Sequence, residues 1–451
     1  MRIAVLFILY YSSAVYSFVN PLYGLLFYVH MTILRPESLT WGTPVFGRLH
    51  LITACLALLG YFVRRGQGVK SAAGSNQRMN LILFSSFLAW LVVVSFLAQV
   101  SQANSFEKLA ELVKIFALCF LFSRVLGSPE QFNLYIWVIG VSFGLLGFWG
   151  FLQGIQGNPR LDDLWPGGSN YIAAQLALMI PLVVVKVLER GGPWFQRPVF
   201  VGSTIGMILC LIFTESRGGF LGFTVAMGVM AISLKQRIQI ALFLVLGAFI
   251  VLPLVPTTYF DRVVGTFAQE GQRDESSESR FVLWSIALHI WRDYPIAGVG
   301  LGNFSPVKEG YADQVRELMP TQSMYDLIFN RERHTHGLYQ GMLAETGAVG
   351  LALFVGLFAF NVFRFLPRGP FEDEEAGERL VVQMKAARAG LIGFAVSAIF
   401  GDFQYIETFY WQLFFLGAMR DYVIRQSGDT GAHEENVASP FMSNASSAHS
   451  A

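Results

Sequence analysis

Thirteen apolar runs dominate the sequence, and most of them are separated by short polar loops. A helix of about 20 apolar residues crosses the ~30 Å hydrocarbon core of a bilayer and satisfies its own backbone hydrogen bonds there. Only 14% of the residues are charged, against about 25% in a typical soluble protein. The sequence therefore predicts an all-α polytopic membrane protein. The runs lie near residues 3–19, 21–34, 49–63, 79–98, 109–126, 132–152, 170–188, 199–214, 218–233, 238–255, 337–366, 388–400 and 407–424.

The number of spans depends on the first two runs, which are short and separated only by Asn20 and Pro21. Proline interrupts a helix, because it lacks a backbone N–H and clashes with the preceding turn. The two runs are either separate spans or one kinked or re-entrant unit. We expect about 12 transmembrane helices, with 13 as the alternative.

Lysine and arginine mark one side of the membrane. Basic residues concentrate in the loops near 64–78, 186–197, 235–237 and 364–388, and basic loops favour the cytoplasm. The opposite side then receives one long, charge-rich segment, 256–335. The predicted organisation is N-terminal transmembrane helices over 1–255, this large outer loop over 256–335, C-terminal transmembrane helices over 336–426, and a disordered cytoplasmic tail over 427–451.

Several functional classes are disfavoured by composition. The 32 basic and 31 acidic residues nearly cancel, so no global positive charge is present to bind nucleic acid. Cys55, Cys119 and Cys210 lie inside apolar runs, which favours buried thiols over a disulfide framework or a zinc site. We expect no metal site and no cofactor.

Two motif matches do not fit their structural context. The segment 140–144 has the serine-hydrolase spacing, but it lies within an apolar run without a strand-to-helix turn. Gly298, Gly300 and Gly302 resemble a nucleotide-binding loop, but no strand precedes them and no phosphate-binding lysine follows. We expect a flexible turn after Pro295.

The first candidate site is Glu215-Ser216-Arg217-Gly218-Gly219, between two apolar runs at the outer side. Charges at the end of a membrane helix need a partner or a ligand, and glycine allows close backbone approach. The alternative is an interfacial arginine that reaches to water.

The second candidate is Arg280, in the outer loop. It begins a stripe with Trp284, Ala287, Leu288 and Trp291 at helical spacing, which predicts an amphipathic helix lying in the membrane interface. A solvated surface arginine is the alternative.

The third candidate is Arg333-His334-Thr335-His336, where the outer loop re-enters the membrane. Histidine can act as a base or donor near neutral pH, although loop histidines or metal ligands are alternatives. Glu345 follows in the next helix, and we expect it to orient the site rather than to react. Two arginines and a histidine at one membrane face suit a pyrophosphate, because guanidinium groups pair with phosphate oxygens.

These segments resemble the O-antigen ligase superfamily. The resemblance rests on Ser216-Arg217-Gly218, on Ser279-Arg280 with Trp284, on the string 294–304, and on His336-Gly337-Leu338-Tyr339 followed by 345–347. Gly168-Ser169-Asn170 is similar to a further motif. Residues 34–42 resemble the subgroup of exosortase-associated O-glycosylation ligases.

The resemblance implies a GT-C-like inner-membrane glycosyltransferase that transfers a glycan from undecaprenyl pyrophosphate at the periplasmic face, without a metal. It implies that Arg217 and Arg280 bind the pyrophosphate and that His336 is the catalytic residue. We expect Glu345, Glu215, His334 and Trp284 to support the site. The family often has asparagine after the histidine, where this chain has Gly337.

The acceptor stays open from sequence: lipid A core, a protein or a growing polysaccharide would each suit this chemistry. The reaction is therefore a ligase, a protein O-oligosaccharyltransferase or a polymerase reaction. A lipid or polysaccharide transporter is the alternative from another class, although transporters tend to carry paired charges near the membrane midplane and matching halves. We expect membrane lipids as partners, and no nucleic acid.

Overall fold

The computed structural model describes residues 2–35, 49–66, 73–157, 161, 167–189, 192–235, 275–319, 321–364, 366 and 374–438. Regular structure within these ranges is helical throughout. The α-helices are α1 Arg2–Val19, α2 Pro21–Leu34, α3 Leu49–Gly66, α4 Ser75–Phe96, α5 Gln102–Val125, α6 Pro129–Ile155, α7 Gly168–Leu188, α8 Gln196–Phe213, α9 Arg217–Ser233, α10 Glu275–Asp293, α11 Phe304–Val307, α12 Gln322–Phe329, α13 Leu338–Phe363, α14 Glu374–Ser397 and α15 Glu407–Ala438.

The apolar runs of the sequence coincide with helices wherever the structure describes them. The exception, 238–255, lies outside the described residues. By length and composition, six described helices can cross a membrane, which supports a polytopic membrane protein; a total of twelve spans stays a prediction. The six are Ser75–Phe96, Pro129–Ile155, Gly168–Leu188, Gln196–Phe213, Leu338–Phe363 and Glu374–Phe400.

The first two helices form a hairpin rather than one kinked helix. The side-chain oxygen of Asn20 accepts the backbone N–H of Tyr23 at 3.1 Å and caps α2, which begins with Pro21. The rings of Tyr10 and Phe27, on opposite arms, lie 5.7 Å apart. The 14 residues of α2 extend about 21 Å, which is less than the ~30 Å hydrocarbon core.

Helix α7 is the centre of the bundle. All its residues from Ile172 to Lys186 are buried, and it packs against α8, α9 and α14. A helix that is apolar on every face is stable only when it is surrounded. Its N-terminus therefore has a fixed position, which matters because that end borders the site.

The described residues of the predicted basic loops meet at one end of the bundle. Here the carboxylate of Asp421 in α15 accepts the backbone N–H groups of Gly74, Asn76 and Gln77 at 2.9–3.0 Å. It thereby caps α4, which has no side-chain cap from its own N-cap residue. Arg420 donates to the carbonyl of Asn361 at 2.6 Å.

The segment after residue 274 carries a small hydrophobic core of its own. Helix α10 contributes a buried face formed by Val282, Leu283, Ile286, Ala287 and Ile290. This face packs against the short helices that follow and against α13.

The predicted amphipathic helix is therefore present, and its buried face lies beside the predicted stripe, whose placement in the membrane interface stays a prediction. Of the predicted members, Ala287 is buried, Trp284 and Trp291 are half-buried, and Leu288 is exposed. The aliphatic residues one position before the predicted stripe fill the small core, and the large aromatic rings lie at its edge.

Helix α13 is kinked at Gly347, which has φ 68° and ψ −174°. A side chain here would meet the backbone of Ile296, whose carbonyl oxygen would lie 2.0 Å from a Cβ. The backbone groups released by the kink find other partners: the N–H of Ala348 donates to Pro295, and the indole of Trp90 donates to the carbonyl of Thr346, both at 2.9 Å. The kink thus fixes the segment 295–302 against α13.

The last helix is longer than the predicted span. The predicted disordered tail, 427–451, begins as a continuation of α15, which ends at Ala438. Residues 439–451 lie outside the described part of the chain.

Candidate functional site

His336 lies immediately before α13 in a backbone conformation that is unusual for histidine. Its φ is 50°, in the left-handed region that costs a residue with a Cβ about 1–2 kcal/mol. The carboxylate of Asp402 compensates, because it accepts the backbone N–H of His336 at 2.8 Å and the hydroxyl of Thr335. Strained residues held in this way tend to cluster at functional sites.

Asp402 is itself held by the centre of the bundle. It lies in the turn between α14 and α15, and its carbonyl accepts the hydroxyl of Tyr171, near the start of α7, at 2.5 Å. Gly341 in α13 lets the turn approach: a Cβ there would lie 2.7 Å from the Thr335 hydroxyl. Three helix ends therefore fix the backbone of the histidine.

The electrostatic surroundings of His336 favour its neutral form. Burial lowers the pKa of the imidazole below its usual range, and the positive charges of Arg280, Arg333 and His334 lower it further, whereas Asp402 opposes them. A histidine with a lowered pKa is unprotonated at neutral pH and can accept a proton. Because both arginines lower the pKa of His336, Arg280 and Arg333 lie within electrostatic range of the imidazole ring.

Arg217 lies at the same end of the bundle, as the first residue of α9. Its predecessor Ser216 caps the helix by accepting the N–H of Gly219 at 3.2 Å, and Ser216 also donates to the side chain of Asn170 at 2.7 Å. Gly218 packs so closely on Phe400 that a Cβ would lie 2.9 Å from it. The start of α9, the start of α7 and the turn that carries Asp402 therefore meet.

Arg280 is half-buried on α10, and the next turn of that helix brings Trp284 to the histidine segment. A Cβ on Gly337 would lie 2.9 Å from the indole nitrogen of Trp284. That nitrogen is buried and has no hydrogen-bond partner among the described residues. A buried N–H without a partner is unfavourable, so the indole is available to a ligand oxygen.

Glu345 supports the site from a distance. Its carboxylate accepts the backbone N–H of Phe304 at 3.2 Å, and the carbonyls of Ala344 and Glu345 accept the N–H groups of Val299 and Gly300. The turn after Pro295, expected to be flexible, is instead packed: Val299 and Leu301 are fully buried. Its hydrogen bonds to α13 explain the difference.

The other supporting candidates are placed less centrally. His334 is exposed while its neighbour Thr335 is buried, so its side chain turns away from the Asp402 contact. Glu215 has φ 49° at the junction of α8 and α9, beside Arg217. Within the described ranges, no group of three or more histidine, cysteine, aspartate or glutamate residues could hold a metal ion.

Sequence reasoning missed two residues of the candidate site, Asp402 and Tyr171. Asp402 carried a signal, since it is a lone acid between two apolar runs, where charges are unfavourable without a partner. Tyr171 follows the Gly168-Ser169-Asn170 motif directly. Nothing local connects either residue with His336, which lies far away along the chain.

The described residues define a helical membrane protein with a histidine and arginine site at one end of its bundle. Residues 202–355 match the O-antigen ligase family, so this part of the chain is similar to O-antigen ligases, in agreement with the resemblance seen in the sequence. Residues 1–157 match a family of unknown function. No curated protein matches the chain. Arg217, Arg280 and His336 all lie within the O-antigen ligase match.

Proposed function

We propose that this protein is a membrane glycan ligase that transfers a glycan from undecaprenyl pyrophosphate to an acceptor hydroxyl. The superfamily supports a glycosyl-transferring enzyme. The observation that carries the proposal is the arrangement around His336. This strained, neutral histidine lies within electrostatic range of Arg280 and Arg333. This combination suits a reaction that releases an anionic lipid pyrophosphate.

Arg217 and Arg280 bind the pyrophosphate in this proposal, and Arg333 adds a third positive charge. Guanidinium groups pair with phosphate oxygens in a planar, two-pronged geometry. Negative charge grows on the pyrophosphate as its bond to the sugar breaks, so positive groups fixed in advance stabilise the transition state. The Trp284 indole is a further donor for a phosphate or glycan oxygen.

His336 accepts the proton of the acceptor. The hydroxyl oxygen of the acceptor attacks the anomeric carbon and forms the new C–O bond, while its O–H bond breaks and the proton passes to the imidazole. The anomeric C–O bond to the pyrophosphate breaks, and the electron pair leaves with the lipid pyrophosphate. A single displacement of this kind inverts the anomeric centre.

Donor binding also improves the base. In the unliganded site Arg280 and Arg333 lower the pKa of His336. A bound pyrophosphate places negative charge near both arginines and offsets their effect on the ring. The imidazole then gains proton affinity when the donor is present. Asp402, Thr335 and Tyr171 act as positioning residues, because they hold the histidine backbone rather than touch the reactants.

The finer assignments belong to the same proposal. We place the site at the periplasmic face of a bacterial inner membrane, because the basic loops collect at the other end of the bundle. We assign lipid A core, a protein or a polysaccharide as acceptor classes, and the exosortase-associated subgroup from residues 34–42, most of which lie outside the described residues. The reaction is expected to need no metal or cofactor.

The direct test is transfer by the purified protein in proteoliposomes. Undecaprenyl-pyrophosphate-linked glycan is supplied with lipid A core, an acceptor protein or a polysaccharide in turn, and mass spectrometry follows the product. We expect transfer by the wild type and a fall of about 10- to 100-fold in kcat/KM for Arg280→Lys, since a charged hydrogen bond contributes about 1.5–3 kcal/mol and lysine cannot replace a two-pronged contact.

Arg292→Lys is the matched control, because Arg292 is exposed near the end of the same helix. It should keep wild-type activity. Full activity of Arg280→Lys would remove that residue from donor binding. Absence of transfer to all three acceptor classes, together with movement of the lipid-linked glycan across the membrane, would favour the transporter.

A further inference from the structure

A polar cavity lies at the end of the bundle that carries His336, beside the turn that contains Asp402. Its volume is about 210 Å³, room for about seven water molecules at ~30 Å³ each. That size suits one sugar ring rather than a drug-sized ligand, for which pockets of about 300–1,000 Å³ are usual. We call it the Arg35–Glu407 cavity. The polar side chains that line it include Arg35, His50, Tyr171, Gln175, Tyr405 and Glu407.

The polar groups of the wall fit a neutral ligand. Arg35 and Glu407 bring a guanidinium group and a carboxyl group to the same cavity. A pyrophosphate would meet the oxygen atoms of the carboxyl group as well as the guanidinium. A sugar hydroxyl both donates and accepts, so a sugar ring can pair with the guanidinium, the carboxyl group and the amide of Gln175. The tyrosine rings supply apolar surface for the ring's C–H groups.

Several groups of the wall are already fixed without a ligand. The carboxylate of Glu407 accepts the hydroxyl of Tyr28 at 2.8 Å, and Thr408 donates to Gln175 at 3.3 Å. Arg35 has φ 48°, a region that is unfavourable for a residue with a Cβ. This backbone position sets the direction from which the arginine leaves the end of α2.

The cavity is coupled to the candidate site through Tyr171. This residue lines the cavity, and its hydroxyl donates to the carbonyl of Asp402, which holds His336. A sugar in the cavity is thus connected to His336 through two residues, Tyr171 and Asp402. Arg35 and His50 come from the part of the chain that matches a family of unknown function, so this part would contribute to substrate choice.

We propose that the Arg35–Glu407 cavity binds one sugar residue of a glycan substrate, either the donor glycan or the acceptor glycan. The assignment rests on the proposed function. It gives the N-terminal part of the chain a role in recognition that is separate from pyrophosphate binding by the arginines.

The test varies donor and acceptor separately in the proteoliposome assay. Glu407→Gln keeps the shape of the side chain and replaces one oxygen of the cavity wall by an NH₂ group. We expect it to raise one KM about 2- to 10-fold, the range for one hydrogen bond, with kcat nearly unchanged, as for a lost binding contact. A changed donor KM assigns the cavity to the donor glycan, and a changed acceptor KM assigns it to the acceptor.

Tyr28→Phe is the control for a purely structural role, because it removes the bond to Glu407 from outside the cavity. Tyr405→Phe is a second control, because it removes a hydroxyl that has no surface exposed to the cavity. Both variants should keep both KM values close to wild type. Unchanged KM values in Glu407→Gln would overturn the assignment, as would an equal effect of Tyr28→Phe and Glu407→Gln.

A binding arm separates this proposal from the proposed function. Free glycan, released from each substrate by mild acid, should raise the unfolding temperature of purified wild type and raise it less for Glu407→Gln. If that holds while the wild type transfers nothing, the cavity assignment stands and the proposed function fails. If transfer occurs and Glu407→Gln behaves as wild type, the function stands and the cavity assignment fails.

Discussion

Asp402→Asn tests how the histidine is held. The two carboxylate oxygens of Asp402 accept the N–H of His336, at 2.8 Å, and the hydroxyl of Thr335. An asparagine of the same shape keeps one acceptor oxygen and turns an NH₂ toward the other donor. One charged hydrogen bond is lost, worth about 1.5–3 kcal/mol, against the ~1–2 kcal/mol needed to keep His336 in the left-handed region.

The expected loss in kcat/KM is about 10- to 100-fold, from the same 1.5–3 kcal/mol. The pH profile should change as well. His336 acts as a base only when unprotonated, so activity rises as pH rises through its pKa and then levels off. The pKa lies below the usual histidine range, and Asp402 is the group that raises it. Loss of the carboxylate should therefore move the acidic limb of the profile to lower pH.

The assay is kcat/KM for transfer across pH 5 to 8 in proteoliposomes. Asp313→Asn is the control, because Asp313 is an exposed residue of the segment before α13, and it should leave both the plateau and the limb unchanged. A merely structural defect would lower the plateau without moving the limb. Wild-type kcat/KM with an unmoved limb in Asp402→Asn would refute the account of how the histidine is held.

Three further predictions concern the fold and its orientation. Gly347→Ala should destabilise the protein by more than the ~1–2 kcal/mol of its backbone conformation, because the new Cβ would meet the carbonyl of Ile296; thermal unfolding in detergent measures this, and a wild-type unfolding temperature would contradict the role of the kink. Asp421→Ala should lower the free energy of unfolding by about 1–3 kcal/mol, because it leaves the N–H groups at the start of α4 unpaired, while transfer per folded molecule stays unchanged. Loss of transfer in fully folded protein would contradict a structural role. Gln272→Cys, in a chain whose three native cysteines are replaced by alanine, should react with an impermeant thiol reagent in cells with a permeabilised outer membrane, whereas protection would contradict the predicted orientation.

The sequence was most informative where one local pattern decides the structure. Continuous apolar runs predicted the helices, because burial in lipid or in the bundle requires them. The ends of the helices were less well predicted: the apolar run at 132–152 did not include the capping box that Ser128 and Gln131 form at the start of α6. The choice between a hairpin and a kinked helix at Asn20 was not readable, because it depends on packing between the two arms.

The sequence was least informative where distant segments meet. Motif and position indicated His336, Arg217 and Arg280 as candidates, but they did not indicate Asp402. Its contacts with Thr335 and His336 join the start of α13 to the end of α14. The small core between α10 and α13 was not predicted, because the aliphatic residues that form it lie on a face of α10 beside the predicted stripe. Such choices follow from shape in three dimensions.

The most direct test of the central claim is single-turnover transfer by His336→Ala beside His334→Ala, with donor binding measured separately and EDTA present. His334 is the matched control, because it is the same residue type two positions away and is exposed. The account predicts that His336→Ala binds the donor but transfers it about 10²- to 10⁴-fold more slowly, the usual contribution of a general base, while His334→Ala stays close to wild type. Near-normal turnover by His336→Ala would contradict the account, and loss of wild-type activity in EDTA would contradict a metal-independent reaction.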